Sequence, residues 1–92
     1  MSGVHALVLI KAETDLINEL AEQLADVPGI KEVFSVAGQY DLVAIVRVRE
    51  NEELADVISA RVRKLRGILA TETLIAFRVY TKAQLSKMLD LD

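Results

Sequence analysis

Apolar residues recur along this chain with two different periods, and the switches between them divide it into elements. Val4, Ala6, Val8 and Ile10 alternate with Leu7 and Leu9, which predicts a strand over Val4 to Lys11 that is apolar on both faces. The period then lengthens: Leu16, Ile17, Leu20, Leu24 and Val27 follow helical spacing until Pro28-Gly29, with Thr14 as the expected N-cap and Asp15 in the first turn. Ile30 to Val36 alternates again, setting Ile30, Glu32, Phe34 and Val36 opposite Lys31, Val33 and Ser35, as an edge strand would. Ala37 to Asp41 is a turn, and Leu42 to Arg49 is a third strand, apolar on both faces through Ile45 and Val46, so the short link makes a hairpin. Asn51 is expected to cap a second helix with Leu54, Val57, Ile58, Val62 and Leu65 on one side. Arg61, Arg63, Lys64 and Arg66 crowd its last turn, where cations complement the helix dipole, and Gly67 suits the position just past its end. Ile68 to Tyr80 reads as the last strand and Lys82 to Leu89 as a short helix.

The order is therefore βαββαβ, and it repeats internally. Shifting the chain by 38 residues pairs Val4 with Leu42, Val8 with Val46, Leu16 with Leu54, Leu24 with Val62, Gly29 with Gly67 and Ile30 with Ile68. Two βαβ units with right-handed crossovers place both helices on one face of a four-stranded antiparallel sheet, an α+β fold of ferredoxin-like arrangement. The other face is left bare although three strands carry apolar residues on both sides, so the sheet is expected to pair face to face with a second copy, giving a dimeric α/β barrel.

Composition sharpens this picture. The chain has 92 residues, 52% of them hydrophobic and 27% charged, with a mean hydropathy of +0.31, which excludes disorder and leaves room for one domain only. The module is assigned to residues 1–80 and a short C-terminal helical tail to residues 81–92. So small a core, with no cysteine to staple it, points again to a partner subunit. Eleven basic against 14 acidic residues give a net charge of −3, the wrong sign for a protein whose task is neutralising phosphates, so direct nucleic-acid binding is not expected. No apolar run reaches the roughly 20 residues of a membrane span and the first residues lack the pattern of a signal peptide, so no membrane partner is expected and the expected location is cytoplasmic.

Chemistry is sparse. The single histidine, His5, sits among apolar strand residues, no His or carboxylate spacing suggests a metal site, and the four glycines lie at scattered turns rather than in a phosphate loop. No cofactor is expected. Two features stand out. Gly38-Gln39-Tyr40-Asp41 forms the hairpin, which turn chemistry alone accounts for through a glycine for positive φ and an aspartate bonding the turn backbone. Thr71 and Thr73 share one face of the last strand and present two hydroxyls side by side, although threonine in a strand is ordinarily β propensity and no more.

In this order within βαββαβ, Pro28-Gly29-Ile30, Gly38-Gln39-Tyr40-Asp41, Gly67-Ile68 and Thr71-Glu72-Thr73 resemble the effector-binding module of the Lrp/AsnC transcriptional regulators, the regulation-of-amino-acid-metabolism domain, over nearly the whole chain. The resemblance implies face-to-face dimers, rings of dimers, and an amino acid bound between dimers. It also implies that Gly38, Gln39, Tyr40 and Asp41 line the ligand loop with Thr71 and Thr73 nearby. This chain begins at the module's first strand, without the family's helix-turn-helix, so it is expected to act as a stand-alone sensing module, alone or through full-length Lrp/AsnC-type regulators. The residues fit such a ligand independently: Asp41 offers an acceptor for an ammonium, while backbone N–H groups around Gly38 and the threonine hydroxyls offer donors for a carboxylate.

Two other readings share the architecture. A small dimeric α/β-barrel enzyme would need a polar cluster inside the barrel, where Arg47, Arg78 and His5 are the candidates among mostly aliphatic positions. A ligand-free oligomerisation adaptor would need only the apolar sheet face.

Overall fold

The computed structural model describes residues 3–89. Strands β1 (Val4–Ala12), β2 (Ile30–Ser35), β3 (Leu42–Val48) and β4 (Ile68–Ile75) form one sheet in the order β2-β3-β1-β4, with every neighbouring pair antiparallel. A short turn over Thr14–Leu16 leads into α1 (Ile17–Ala25), and α2 (Asn51–Ala55) opens the second crossover. This is the ferredoxin-like α+β fold expected from the two periods.

The two faces of the sheet differ in what covers them. Ala6, Val8 and Ile10 of β1 and Leu42, Ala44 and Val46 of β3 are buried with Leu20 and Leu24 of α1 and with Leu54, Val57 and Val62 of the second crossover, so this face carries the core. On the opposite face Leu7 stands across from Ile45 and Leu74, and Val43 across from Leu9 and Phe34. Leu7, Phe34 and Leu74 are there 38%, 47% and 44% exposed, so the apolar patch runs across all four strands.

Several details depart from the sequence expectations. Neither Thr14 nor Asn51 caps a helix: Glu13 and Glu50 hold the cap positions without a side-chain bond, and Asn51 is itself the first helical residue. Instead Glu53 Oε1 reaches back from the first turn to accept the backbone N–H of Arg49, the residue before the cap, at 2.8 Å. The second helix is not uniform. After α2 the chain winds as a π-helix over Asp56–Arg61 and as a 3₁₀ turn over Val62–Lys64, with the Ser59 hydroxyl donating to the Ala55 carbonyl at 2.6 Å.

Strict alternation fails in β2, because Lys31 is an extra residue between Ile30, opposite Val46, and Glu32, opposite Ile45. The bulge turns Ile30 into the core and puts Glu32 and Phe34 on the open face. β4 stops at Ile75 instead of Tyr80 because its neighbour runs out: Ala76 N–H still donates to the His5 carbonyl at 2.8 Å, and β1 begins only one residue earlier. Thr81 then accepts the Gln84 N–H through Oγ1 at 3.1 Å, capping α3 (Lys82–Leu89).

Candidate functional site

The β2–β3 link is a tied loop. Val36 N–H donates to the Asp41 carbonyl at 3.0 Å and closes the hairpin, while Asp41 N–H donates to the Ile10 carbonyl at 2.9 Å. Asp41 Oδ2 accepts the Ala12 N–H at 2.8 Å, at the point where a bulge interrupts the β1–β4 ladder between Lys11 and Ala12. One aspartate thus fastens the loop to the end of a central strand by its main chain and its side chain together. Gly38 has φ +132°, and a Cβ there would meet nothing within 4 Å, so the backbone conformation alone calls for glycine.

From this anchor the loop reaches over β1. Lys11 Nζ donates to the Gln39 carbonyl at 3.1 Å, and the Tyr40 hydroxyl donates to Glu72 Oε1 at 2.5 Å, so the tip touches edge strand β4. The bond to Glu72 holds the phenol proton and raises the Tyr40 pKa above its usual value, with desolvation and the Glu72 charge adding to the effect.

The two threonines lie elsewhere. Glu72 stands opposite Leu9 on the open face, whereas Thr71 and Thr73 stand opposite Ile10 and Val8, whose side chains enter the core. Thr71 borders a cleft of about 510 Å³ with Ile58, Arg63, Ile68 and Leu69, beside the second crossover. The fold therefore brings Gly38, Gln39, Tyr40 and Asp41 into one anchored loop next to Glu72, and puts Thr71 and Thr73 on the other side of the sheet. Lys11 and Glu72 were not among the candidate site residues, although Glu72 lies within the Thr71-Glu72-Thr73 motif. Their signal was strand alternation, since Glu72 between two threonines must face away from both.

The candidates for the enzyme reading spread out. His5 and Arg47 face each other across β1 and β3 at one end of the open face, and Arg78 is exposed beyond the end of β4. Among the described residues no group of three His, Cys, Asp or Glu side chains is placed to hold a metal ion, and no helix is long and apolar enough to cross a membrane.

The family model of the Lrp/AsnC ligand binding domain matches residues 5–85. The chain belongs to this family. An uncharacterized HTH-type transcriptional regulator of Pyrococcus horikoshii is 37% identical over 78 residues, which cover 82% of this chain and 52% of the regulator. The Lrp/AsnC domain described here thus spans about half the length of this and two further Pyrococcus HTH-type transcriptional regulators that it matches, and it also matches 16% of the length of two homocitrate synthases. Among solved structures, TTHA0845 from Thermus thermophilus is 44% identical with a TM-score of 0.82, over 86% of this chain and 99% of that one. The transcriptional regulator NMB0573 from Neisseria meningitidis, solved as its L-Met complex, shares the Lrp/AsnC fold at 11% identity, with a TM-score of 0.75 over 86% of this chain and 54% of that one.

Proposed function

We propose that this Lrp/AsnC domain is an amino-acid-sensing regulatory module that binds its ligand at the Gly38–Asp41 loop and passes the signal on through assembly. The observation that carries the reading is the anchoring of Asp41. Its carboxylate is fixed by the Ala12 N–H at 2.8 Å, yet a carboxylate accepts several donors, so an ammonium would meet a prepositioned charge at low ordering cost. The N–H groups around Gly38 and the hydroxyls of Thr71 and Thr73 supply partners for the ligand carboxylate. Because Thr71 and Thr73 lie on the far face from the Tyr40–Glu72 contact, a single ligand meets both groups where loop and strand come from neighbouring subunits. The L-Met complex of a protein of the same fold supports a ligand of this class.

Assembly follows from the uncovered sheet. A patch joining Leu7, Ile45, Leu74 and Phe34 is satisfied by a second copy laid face to face, and rings of such dimers would bring loops and β4 edges together. The output is regulation of transcription or metabolism, alone or through full-length Lrp/AsnC regulators, without catalysis and without direct DNA contact by this domain.

Calorimetry against the twenty amino acids tests the proposal, with saturable binding expected for at least one. Asp41→Asn keeps the shape and removes the charge, and since bonds to charged groups contribute about 1.5–3 kcal/mol, affinity should fall roughly ten- to hundred-fold. Thr73→Val should weaken binding less, because a neutral hydrogen bond contributes about 0.5–1.5 kcal/mol. Unchanged affinity in Asp41→Asn, with assembly intact by light scattering, removes Asp41 from the site. A 10.2 kDa particle at micromolar concentration removes the dimer.

A further inference from the structure

At the end of the sheet away from the hairpin, a second cleft of about 500 Å³ opens between β3 and the second crossover. From Asp41 to Arg47 runs the length of β3, about 20 Å at the usual rise per residue, so this cleft is separate from the proposed amino-acid loop. Its floor is Gly29, Val48 and Val57. The floor is close-packed: a Cβ on Gly29 would come within 3.0 Å of Val48 Cγ1 and 3.1 Å of Val57 Cγ2.

Around this floor stand Lys31, Arg49 and Arg61 against the two carboxylates Glu53 and Asp56, and Arg47 borders it from a β3 position whose side chain belongs to the open face. In a molecule of net charge −3 this local excess of cations is an inversion of the overall field. Three local irregularities bring it about. The β-bulge takes Lys31 out of ladder register with β3. Glu53 Oε1 holds the Arg49 backbone N–H at 2.8 Å and so fixes the strand exit that carries this arginine. The π-helical winding over Asp56–Arg61 matters most. In an α-helix residues five apart are rotated by about 140°, whereas the wider turn brings Asp56 and Arg61 toward one side, and both line the cleft. The crowding of arginines at the end of the second helix, which the helix dipole alone accounts for in sequence, is thereby divided: Arg61 lines this cleft and Arg63 the other.

From this convergence we infer that the cleft is a second ligand site, specific for a small phosphate-bearing anion. Arginine and lysine forks match phosphate oxygens, and the volume falls within the range of about 300–1,000 Å³ usual for small-molecule sites. Glu53 and Asp56 select a compact ligand that also brings hydroxyl or amine donors, and they repel the continuous phosphate chain of a nucleic acid. No aromatic ring is among the lining residues, so recognition rests on the phosphate and its polar substituents and not on stacking of a base.

The test is calorimetric titration of the assembled protein with inorganic pyrophosphate at low and physiological salt. Saturable binding is expected, weakening with salt, with Arg49→Gln and Arg61→Gln each lowering affinity about ten- to hundred-fold, as loss of a charge-assisted contact does. Arg63→Gln, outside the cleft, should leave it within about twofold, and so should Asp41→Asn, which separates this site from the amino-acid loop. Lys31→Gln changes only an exposed bulge residue and serves if either arginine variant fails to fold by circular dichroism. Absence of saturation at about 10 mM pyrophosphate overturns the inference. An equal loss in Arg63→Gln overturns it too, since it would make the binding diffuse attraction. Displacement of pyrophosphate by duplex DNA, with binding to the duplex lost in the same two arginine variants, would replace the small anion by nucleic acid.

Discussion

The two βαβ halves of this domain use one backbone device twice and load it with opposite chemistry. Gly29 and Gly67 both have φ +98°. Each is followed by an isoleucine that opens a strand and by an extra residue that breaks the ladder, Lys31 in β2 and Leu69 in β4. Lys31 borders the cationic cleft, whereas Leu69, 60% exposed, borders the other cleft, beside Thr71 and Arg63. At the far ends the halves diverge further. The first half turns back through Gly38–Asp41 into β3, while the matching stretch around Ala76 to Val79 leaves the sheet, with Phe77 fully exposed. Internal repetition thus explains where Gly29, Gly67 and the two bulges fall, and single-residue differences decide which side chains line each cleft.

The largest expected difference between the halves lies in the core. Leu24 and Val62 are repeat partners, both fully buried, beneath the first and second crossovers. Leu24→Ala should destabilise by about 2–5 kcal/mol and Val62→Ala by about 1.5–3 kcal/mol, read from urea unfolding at one fixed protein concentration. Equal losses would mean that the irregular second helix packs as rigidly as α1.

The paired glycines come next. Gly29→Ala and Gly67→Ala both force a side chain into the left-handed region, at about 1–3 kcal/mol each. A Cβ on Gly67 would also lie 2.7 Å from Leu16 Cδ1 and 3.2 Å from Leu20 Cδ1, tighter than the valine contacts at Gly29. Gly67→Ala should therefore be the more destabilising of the two by urea midpoint, and the reverse order would show that the Leu16 side chain swings aside.

Exchanging the bulge residues tests the chemistry alone. Lys31→Leu and Leu69→Lys alter exposed positions and should each change stability by no more than about 0.5 kcal/mol. Lys31→Leu should nevertheless weaken pyrophosphate binding, while Leu69→Lys should leave it unchanged, as followed by calorimetry.

How far the sequence reveals these features depends on whether they are written in a period or in a register. Periods gave the sheet, both crossovers and the apolar open face, because alternation from Val4 to Ile10 and helical spacing from Leu16 to Val27 each repeat enough times to be distinctive. The bulges at Lys31 and Leu69, the π-helical turn and the early end of β4 depend on which neighbour each strand meets, and no local pattern records that. The hairpin was legible as a turn from Gly38 to Asp41. Its attachment to Ala12 and Glu72 was not, since both contacts cross the sheet, between residues about thirty positions apart.

The smallest effect belongs to the contact that ties the first half's loop to the second half's edge strand. Tyr40 donates to Glu72, and that bond, with lesser help from desolvation and from the carboxylate charge, raises the tyrosine pKa above its ordinary value of 10.0. A raised folded-state value means that the contact contributes fully below the unfolded pKa, and that its contribution is lost as pH climbs through the folded one. The loop should therefore be held throughout neutral pH and released only in strong base. The chain has two tyrosines, so Tyr80→Phe leaves Tyr40 as the sole phenol. Ultraviolet titration of that variant should show a midpoint above 10.0, and adding Glu72→Gln should bring it down toward that value, because the acceptor and its charge are weakened together. Coincident titrations in the two variants would mean that Tyr40 and Glu72 do not hold each other in solution, and that Asp41 and the Lys11 bond to Gln39 fix the loop without them.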